Sequence, residues 1–293
     1  MLLTQSPFFL LYGGRVSDWE SKLQVAGIPN SVSGASTGVK FIIKLDMGVA
    51  FSFNFWRDCL KTIGIVGGVA WPSTIVYYRV INELVAQRLG GAGLHCAKIV
   101  LAQTDFEEIE RRQREGRWDL VGDLLAAEGN KVKAAGADFF LLACNTVHTA
   151  DERVESSVNL PFIHIVDPTA REVLARGFRT VGLLGSRYTM TGTYFVERLK
   201  KRYGLDVLVA QGEHQNNVHN ALYDELAKGI FLPSTREKFR AAILDLVARG
   251  AEVIILGCTE FGMLVKPEDS PVLIIDTTIA HAQAAVEMAL GAE

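Results

Sequence analysis

The chain repeats itself. KTIGIVGG at 61–68 returns as RTVGLLGS at 179–186, an offset of 118. GADFFLLACNT at 136–146 returns as GAEVIILGCTE at 250–260, an offset of 114. LPFIHIVD at 160–167 resembles SPVLIID at 270–276, with Pro161 and Pro271 offset by 110. Any two strand–turn segments share apolar residues and a glycine. A shared Gly-Ala-acid opening and a Cys-Thr-type ending, in the same order, go beyond that and restrict the fold to two similar lobes.

Between the matched segments the pattern alternates. Short apolar runs at 63–66, 96–101, 138–143 and 161–166 predict strands, and the apolar spacing through Tyr77, Val80, Ile81, Leu84 and Val85 predicts a helix, as does 120–135. Strands of four to six residues separated by helices imply parallel sheets covered on both faces. The expected fold class is α/β, with two similar lobes related by a pseudo-twofold duplication, each a short parallel sheet flanked by helices. The expected division is a first lobe at 61–166, a second at 167–276, and a C-terminal helix at 277–293 packing back on the first.

Residues 1–60 read differently. They hold nine charged and nine aromatic side chains, with a small, polar, linker-like stretch at 27–39 and no periodicity that persists. They are expected to form an extension outside the fold. The start lacks a basic segment and Pro7 interrupts its apolar run, so no signal peptide is expected. Residues 41–56 contain Lys44 and Asp46, and no run approaches the 18 or so apolar residues of a membrane span. A cytoplasmic protein without membrane contact is expected. With 30 basic and 33 acidic residues the net charge is −3, which offers no basic excess to a nucleic-acid backbone.

The four cysteines, Cys59, Cys96, Cys144 and Cys258, form no CxxC pair and are too scattered for a disulfide scaffold. His214 and His219 are five apart rather than at metal-binding helical spacing, so no metal is expected. Cys96 reads as strand core and Cys59 falls in the extension. Cys144 and Cys258 occupy equivalent repeat positions, each after an apolar strand and before a polar turn, Asn145-Thr146 or Thr259-Glu260. Ligands of open α/β sheets sit at the carboxyl ends of strands. A helix starting there would direct N–H groups at the site, favouring a thiolate and binding carboxylates. Two such thiols facing one ligand suit inversion of a carbon centre, one removing a proton and the other delivering one to the opposite face.

These motifs, IGIVGG (63–68), ACNTVH (143–148) and GCTEF (257–261), resemble the aspartate/glutamate racemase superfamily, which is independent of pyridoxal phosphate, and the likeness covers about residues 61–293. Glutamate racemases of cell-wall synthesis carry GCTH at the second motif, so Glu260 looks like the aspartate-racemase branch. The resemblance implies that an amino acid, aspartate or glutamate, is racemised without a cofactor, with Cys144 and Cys258 as the acid/base pair. It also implies that Asn145, Thr146 and Thr259 bind the substrate and that Glu260 orients a thiol or meets the ammonium group. The Gly67–Gly68 turn would approach the ligand, with Trp71, Ser73 and Thr74 near the cleft. A homodimer is likewise implied. Aspartate racemases use an Arg after the second strand and a Lys in the second lobe. Here those places read Gln103-Thr104-Asp105-Phe106 and SRYTMTGTYF, leaving Arg111, Arg112 and Arg187 as candidates.

His148 reads as a proton relay or a hydrogen-bonded residue at a helix start, His164 as a residue within a strand that hydrogen-bonds at its end, and Asp167 and Asp276 as helix caps, with a site role as the lesser reading. The run Glu107–Arg117 reads as a solvated helix. No GxGxxG or Walker sequence supports a nucleotide-binding protein. The alternatives are a relative of hydantoin racemase, maleate isomerase or arylmalonate decarboxylase, or a non-catalytic amino-acid-binding protein.

Overall fold

A computed structural model describes residues 60–91 and 94–291, together with the backbone of three strands before them. The chain separates into two compact units, Met1–Leu60 and Lys61–Glu293. In the first, β1 (Gln24–Val25), β2 (Lys40–Lys44) and β3 (Ala50–Asn54) form an antiparallel sheet in that order. Cys59 lies outside the described residues.

The second unit begins with β4 (Ile63–Gly67), α1 (Trp71–Arg88), β5 (Ile99–Gln103), α2 (Phe106–Arg114), α3 (Trp118–Ala134), β6 (Phe139–Leu142), α4 (Asp151–Val158) and β7 (Phe162–Ile163). The chain crosses over through α5 (Val166–Ala175) to β8 (Thr180–Gly185), α6 (Arg187–Thr191), α7 (Thr193–Tyr203), β9 (Asp206–Val209) and α8 (Gly212–Asp224). It ends with α9 (Pro233–Ala248), β10 (Val253–Gly257), α10 (Phe261–Leu264), β11 (Leu273–Asp276) and α11 (Thr277–Leu290). The first sheet has the order β5-β4-β6-β7 and the second β9-β8-β10-β11, all parallel. The two orders are the same, element for element. In each, the chain visits one side of its first strand and then the other, which opens a crevice at the strand ends.

The repeated glycines have matching physical causes. A Cβ on Gly64 would lie 2.9–3.0 Å from Val132, Ala137 and Phe140, and one on Gly182 would lie 2.7–3.1 Å from Ile254, Ala251 and Leu246. In both lobes the central strand therefore runs bare under a covering helix. β4, β6 and β10 are buried along their whole lengths, as a sheet covered on both faces requires. α11 packs on α1 and α5, and the buried Tyr77 hydroxyl lies 2.9 Å from His281 Nδ1.

Several local expectations shift. The second strand pairs from Ile99, opposite Ile63, and not from Cys96, so Cys96 is exposed rather than core. The fourth strand has two residues, because the chain turns at His164 into α5. That puts Asp167 inside the first turn of α5, where it pairs with Arg198 at 2.6 and 2.8 Å instead of capping. Asp276 does cap α11, accepting from the Thr278 N–H at 2.8 Å. Among the described residues no helix is long and apolar enough to cross a membrane.

Phe140 is fully buried and packs on Phe162 with ring centroids 4.9 Å apart, whereas Leu244 is 47% exposed. Phe140→Ala is expected to cost about 3–5 kcal/mol in urea unfolding and Leu244→Ala under about 0.5 kcal/mol. Equal costs would contradict this core.

Candidate active site

β6 leads straight to the first cysteine. The Ala143 N–H still donates to Val66 O at 2.9 Å, and the strand then breaks at half-buried Cys144 into a 3₁₀ turn, Thr146–Ala150. His148 Nδ1–H donates to the Cys144 carbonyl at 2.8 Å, and its Nε2 accepts the Ile165 N–H at 3.3 Å. One neutral ring thus ties the cysteine turn to the crossover between the lobes. Burial, with His164 and His281 nearby, holds His148 well below the ordinary imidazole range. Its contact is with the backbone carbonyl rather than the thiol.

The second cysteine follows β10 directly and is buried. Its Sγ–H donates to Glu260 Oε2 at 3.0 Å, and the Thr259 hydroxyl donates to the same oxygen at 2.8 Å. Glu260 is 3% exposed and its Oε1 has no protein partner. The carboxylate is thus half satisfied and turned toward the site.

Hydrogen bonds from the first cysteine turn reach the other lobe. Asn145 Nδ2 donates to Thr277 Oγ1 at 3.0 Å, and that hydroxyl donates to Leu256 O at 2.8 Å. Thr146 and Ser186 share a hydrogen bond of 2.9 Å, which continues through Thr189 (3.1 Å) to the Tyr194 hydroxyl (2.8 Å).

Both thiols, Thr146 and Glu260 line one cavity of about 20 Å³, which has room for about one water molecule. Burial and then the Glu260 charge push Cys144 up to about 12, against the pull of the Val147 and Thr146 N–H groups. The same two causes push Cys258 well above the ordinary thiol range. The expected thiolate-favouring turn is therefore overridden. A 3₁₀ turn and the four-residue α10 supply too few aligned dipoles to outweigh lost hydration and a neighbouring carboxylate.

The other expected residues are placed as follows. Gly67 ends β4 and Gly68 follows it, a Cβ on either would strike Thr74 or Thr104, and the Gly68 N–H donates to Thr74 Oγ1 at 2.9 Å. Ser73 and Thr74 are buried and donate to Ala70 O at 2.9 and 3.3 Å. They shape the loop whose Val69 and Ala70 line the cavity. Trp71 is 57% exposed and away from the cavity lining, and Thr259 is buried behind Glu260. Arg111 and Arg112 pair with Glu108, and exposed Arg187 bonds Asn216. The cavity wall also contains Phe106 and Gln113 of α2 and Leu222 and Tyr223 of α8. Gln113 was legible as the next inward position after Phe106 and Ile109, hidden among charged neighbours. Among the described residues, no cluster of three or more His, Cys, Asp and Glu could hold a metal ion.

Residues 66–285 match the Asp/Glu/Hydantoin racemase family. The chain belongs to this family. A crystal structure from Yersinia pestis assigned to the Asp/Glu racemases is 40% identical, with a TM-score of 0.72, covering 78% of this chain and 99% of that one. An aspartate racemase homologue from Pyrococcus horikoshii OT3 is 30% identical, with a TM-score of 0.67 and the same coverage. The broad specificity amino-acid racemase RacX of Bacillus subtilis (strain 168) is 24% identical over 156 residues, which is 53% of this chain and 66% of that protein. The match thus spans just under two thirds of RacX. The two parallel four-strand sheets flanked by helices match the two-lobed racemase fold.

The raised thiols predict slow alkylation. With Cys144 pushed up to about 12, its iodoacetamide labelling at pH 8 is expected to be about 10–10³-fold slower than for an ordinary thiol of pKa about 8.5, the scarcer thiolate being partly offset by its greater nucleophilicity. The rate is expected to climb about tenfold per pH unit from 7 to 10, read by peptide mass spectrometry. A plateau for Cys144 below pH 9 would contradict the assignment.

Proposed function

We propose that this chain interconverts the L and D forms of an amino acid, with Cys144 and Cys258 as the proton-transferring pair and no cofactor. The observation that carries the reading is that both cysteines, at equivalent positions of duplicated sheets, line a single small cavity. Burial as inert small hydrophobes would explain one such cysteine. It does not explain two that share a cavity with a half-satisfied carboxylate.

In this reading the Cys258 S–H proton, already hydrogen-bonded to Glu260 Oε2, passes through that oxygen to solvent as substrate enters, and Glu260 remains a carboxylate. The Cys258 thiolate then removes the α-proton from one face, and the Cys144 thiol returns a proton to the other. The opposite reaction exchanges the roles. A substrate ammonium group would offset the charge of Glu260, whose Oε1 is open to it. The developing carbanion needs prepared donors, each worth about 2.7–4 kcal/mol by mutagenesis, and the N–H groups of Thr146 and Val147 stand beside the Cys144 sulfur. A cavity of about 20 Å³ must widen to admit an amino acid, so lobe opening precedes chemistry. Aspartate and glutamate, which the sequence resemblance implies, are the first substrates to assay.

Cys144→Ala and Cys258→Ala are each expected to lose inversion by about 10²–10⁴-fold. Each is expected to keep measurable α-proton exchange with only one enantiomer, opposite in the two variants, by proton NMR in D₂O. Full inversion by either variant would refute the two-thiol reading.

A further inference from the structure

The cavity has a wall that the proton-transfer chemistry does not use. Gln113 continues the inward stripe of α2 from Phe106 and Ile109, is 3% exposed, and faces the same cavity as both cysteines. Its Nε2 is buried without a hydrogen-bond partner. A buried amide left unpaired is unfavourable unless something else completes it. The charged side chains of α2 do not, because Glu108, Arg111 and Arg112 pair with one another on the solvent side. Phe106, Leu222 and Tyr223 make the surrounding wall apolar or uncharged. Among the described residues, none that lines the cavity carries a positive charge, while Glu260 contributes a carboxylate.

We propose that Gln113 is the specificity-determining residue, receiving the end of the substrate side chain, and that the site prefers amino acids ending in an uncharged amide or hydroxyl over acidic ones. This rests on the racemase reading. The reason is the pairing available. A substrate amide can give and accept one hydrogen bond each with the Gln113 amide, leaving neither unpaired. A side-chain carboxylate would be stripped of water beside Glu260 with no cation to meet it. Sites that hydrogen-bond a substrate group discriminate strongly against analogues that leave their own polar atoms unpaired. The α-ammonium group stays with Glu260, so the two ends of the substrate are read by different elements.

The test compares α-proton exchange in D₂O by the full chain with L-glutamine, L-glutamate, L-asparagine, L-aspartate and L-methionine. The wild type is expected to show kcat/KM at least tenfold higher for glutamine than glutamate and for asparagine than aspartate. Gln113→Leu is expected to lower the glutamine-to-methionine ratio at least tenfold, with methionine as the internal measure of intact folding. A wild-type preference for the acidic partners would overturn the inference and leave the racemase reading standing, as would a Gln113→Leu loss equal for all five. No exchange with any of the five by the wild type would overturn both.

Discussion

A buried thiol, a half-buried thiol and a buried carboxylate share one small cavity, and the rest of the site is arranged around that constraint. Desolvation alone would protonate every one of them. The Cys258–Glu260 hydrogen bond is the local answer, since it gives the thiol proton an acceptor and the carboxylate a donor in the same contact. It also sets the resting state, in which both cysteines are thiols. In the proposed reaction, activation comes from what enters the cavity, and a cationic ammonium beside Glu260 has the required sign.

Such a site works only if the two lobes hold their strand ends in register. The Thr146–Ser186 bond crosses between lobes at the cysteine turn itself, and Asn145 reaches Leu256 of β10 through the Thr277 hydroxyl. Behind it, His148 links the Cys144 carbonyl to the crossover at Ile165, and His281 Nε2–H donates to Ile163 O at 2.9 Å. Both rings act as neutral, buried connectors, and burial holds His281 down at about 3. The segment that joins the lobes is therefore fastened to the same turn that presents the first thiol.

Much of this was readable without coordinates, and for identifiable reasons. The repeat was visible because Gly64 and Gly182 are each forced by a helix pressed on the central strand, and because the residues closing each strand cannot drift without moving a thiol. Cys144, Cys258, Thr146 and Glu260 carry polar groups at strand ends, where position and chemistry coincide. Ser73 and Thr74, expected near the cleft, stand on the loop that lines the cavity without lining it themselves. Their hydroxyls serve the loop backbone, a use that sequence cannot separate from ligand binding. Gln113 was obscured by Arg111, Arg112 and Arg114, whose charges set the tone of the helix although one polar side chain points inward. The start of the second strand was placed three residues early because Cys96 and Ala97 do not reveal where pairing with Ile63 begins. The thiol acidity was misjudged because burial and the distance to Glu260 are tertiary quantities.

The central claim is that two different groups handle the proton on opposite faces of one carbon. The direct measurement is the isotopic content of both enantiomers in D₂O at the start of the wild-type reaction, below about 5% conversion, with whichever amino acid turns over fastest. Two thiols predict deuterium at the α-carbon of the product enantiomer and protium retained in the recovered substrate, in both directions. Equal deuterium in recovered substrate and product, or transfer of the substrate's own proton into the product, would mean that a single base serves both faces and would contradict the account.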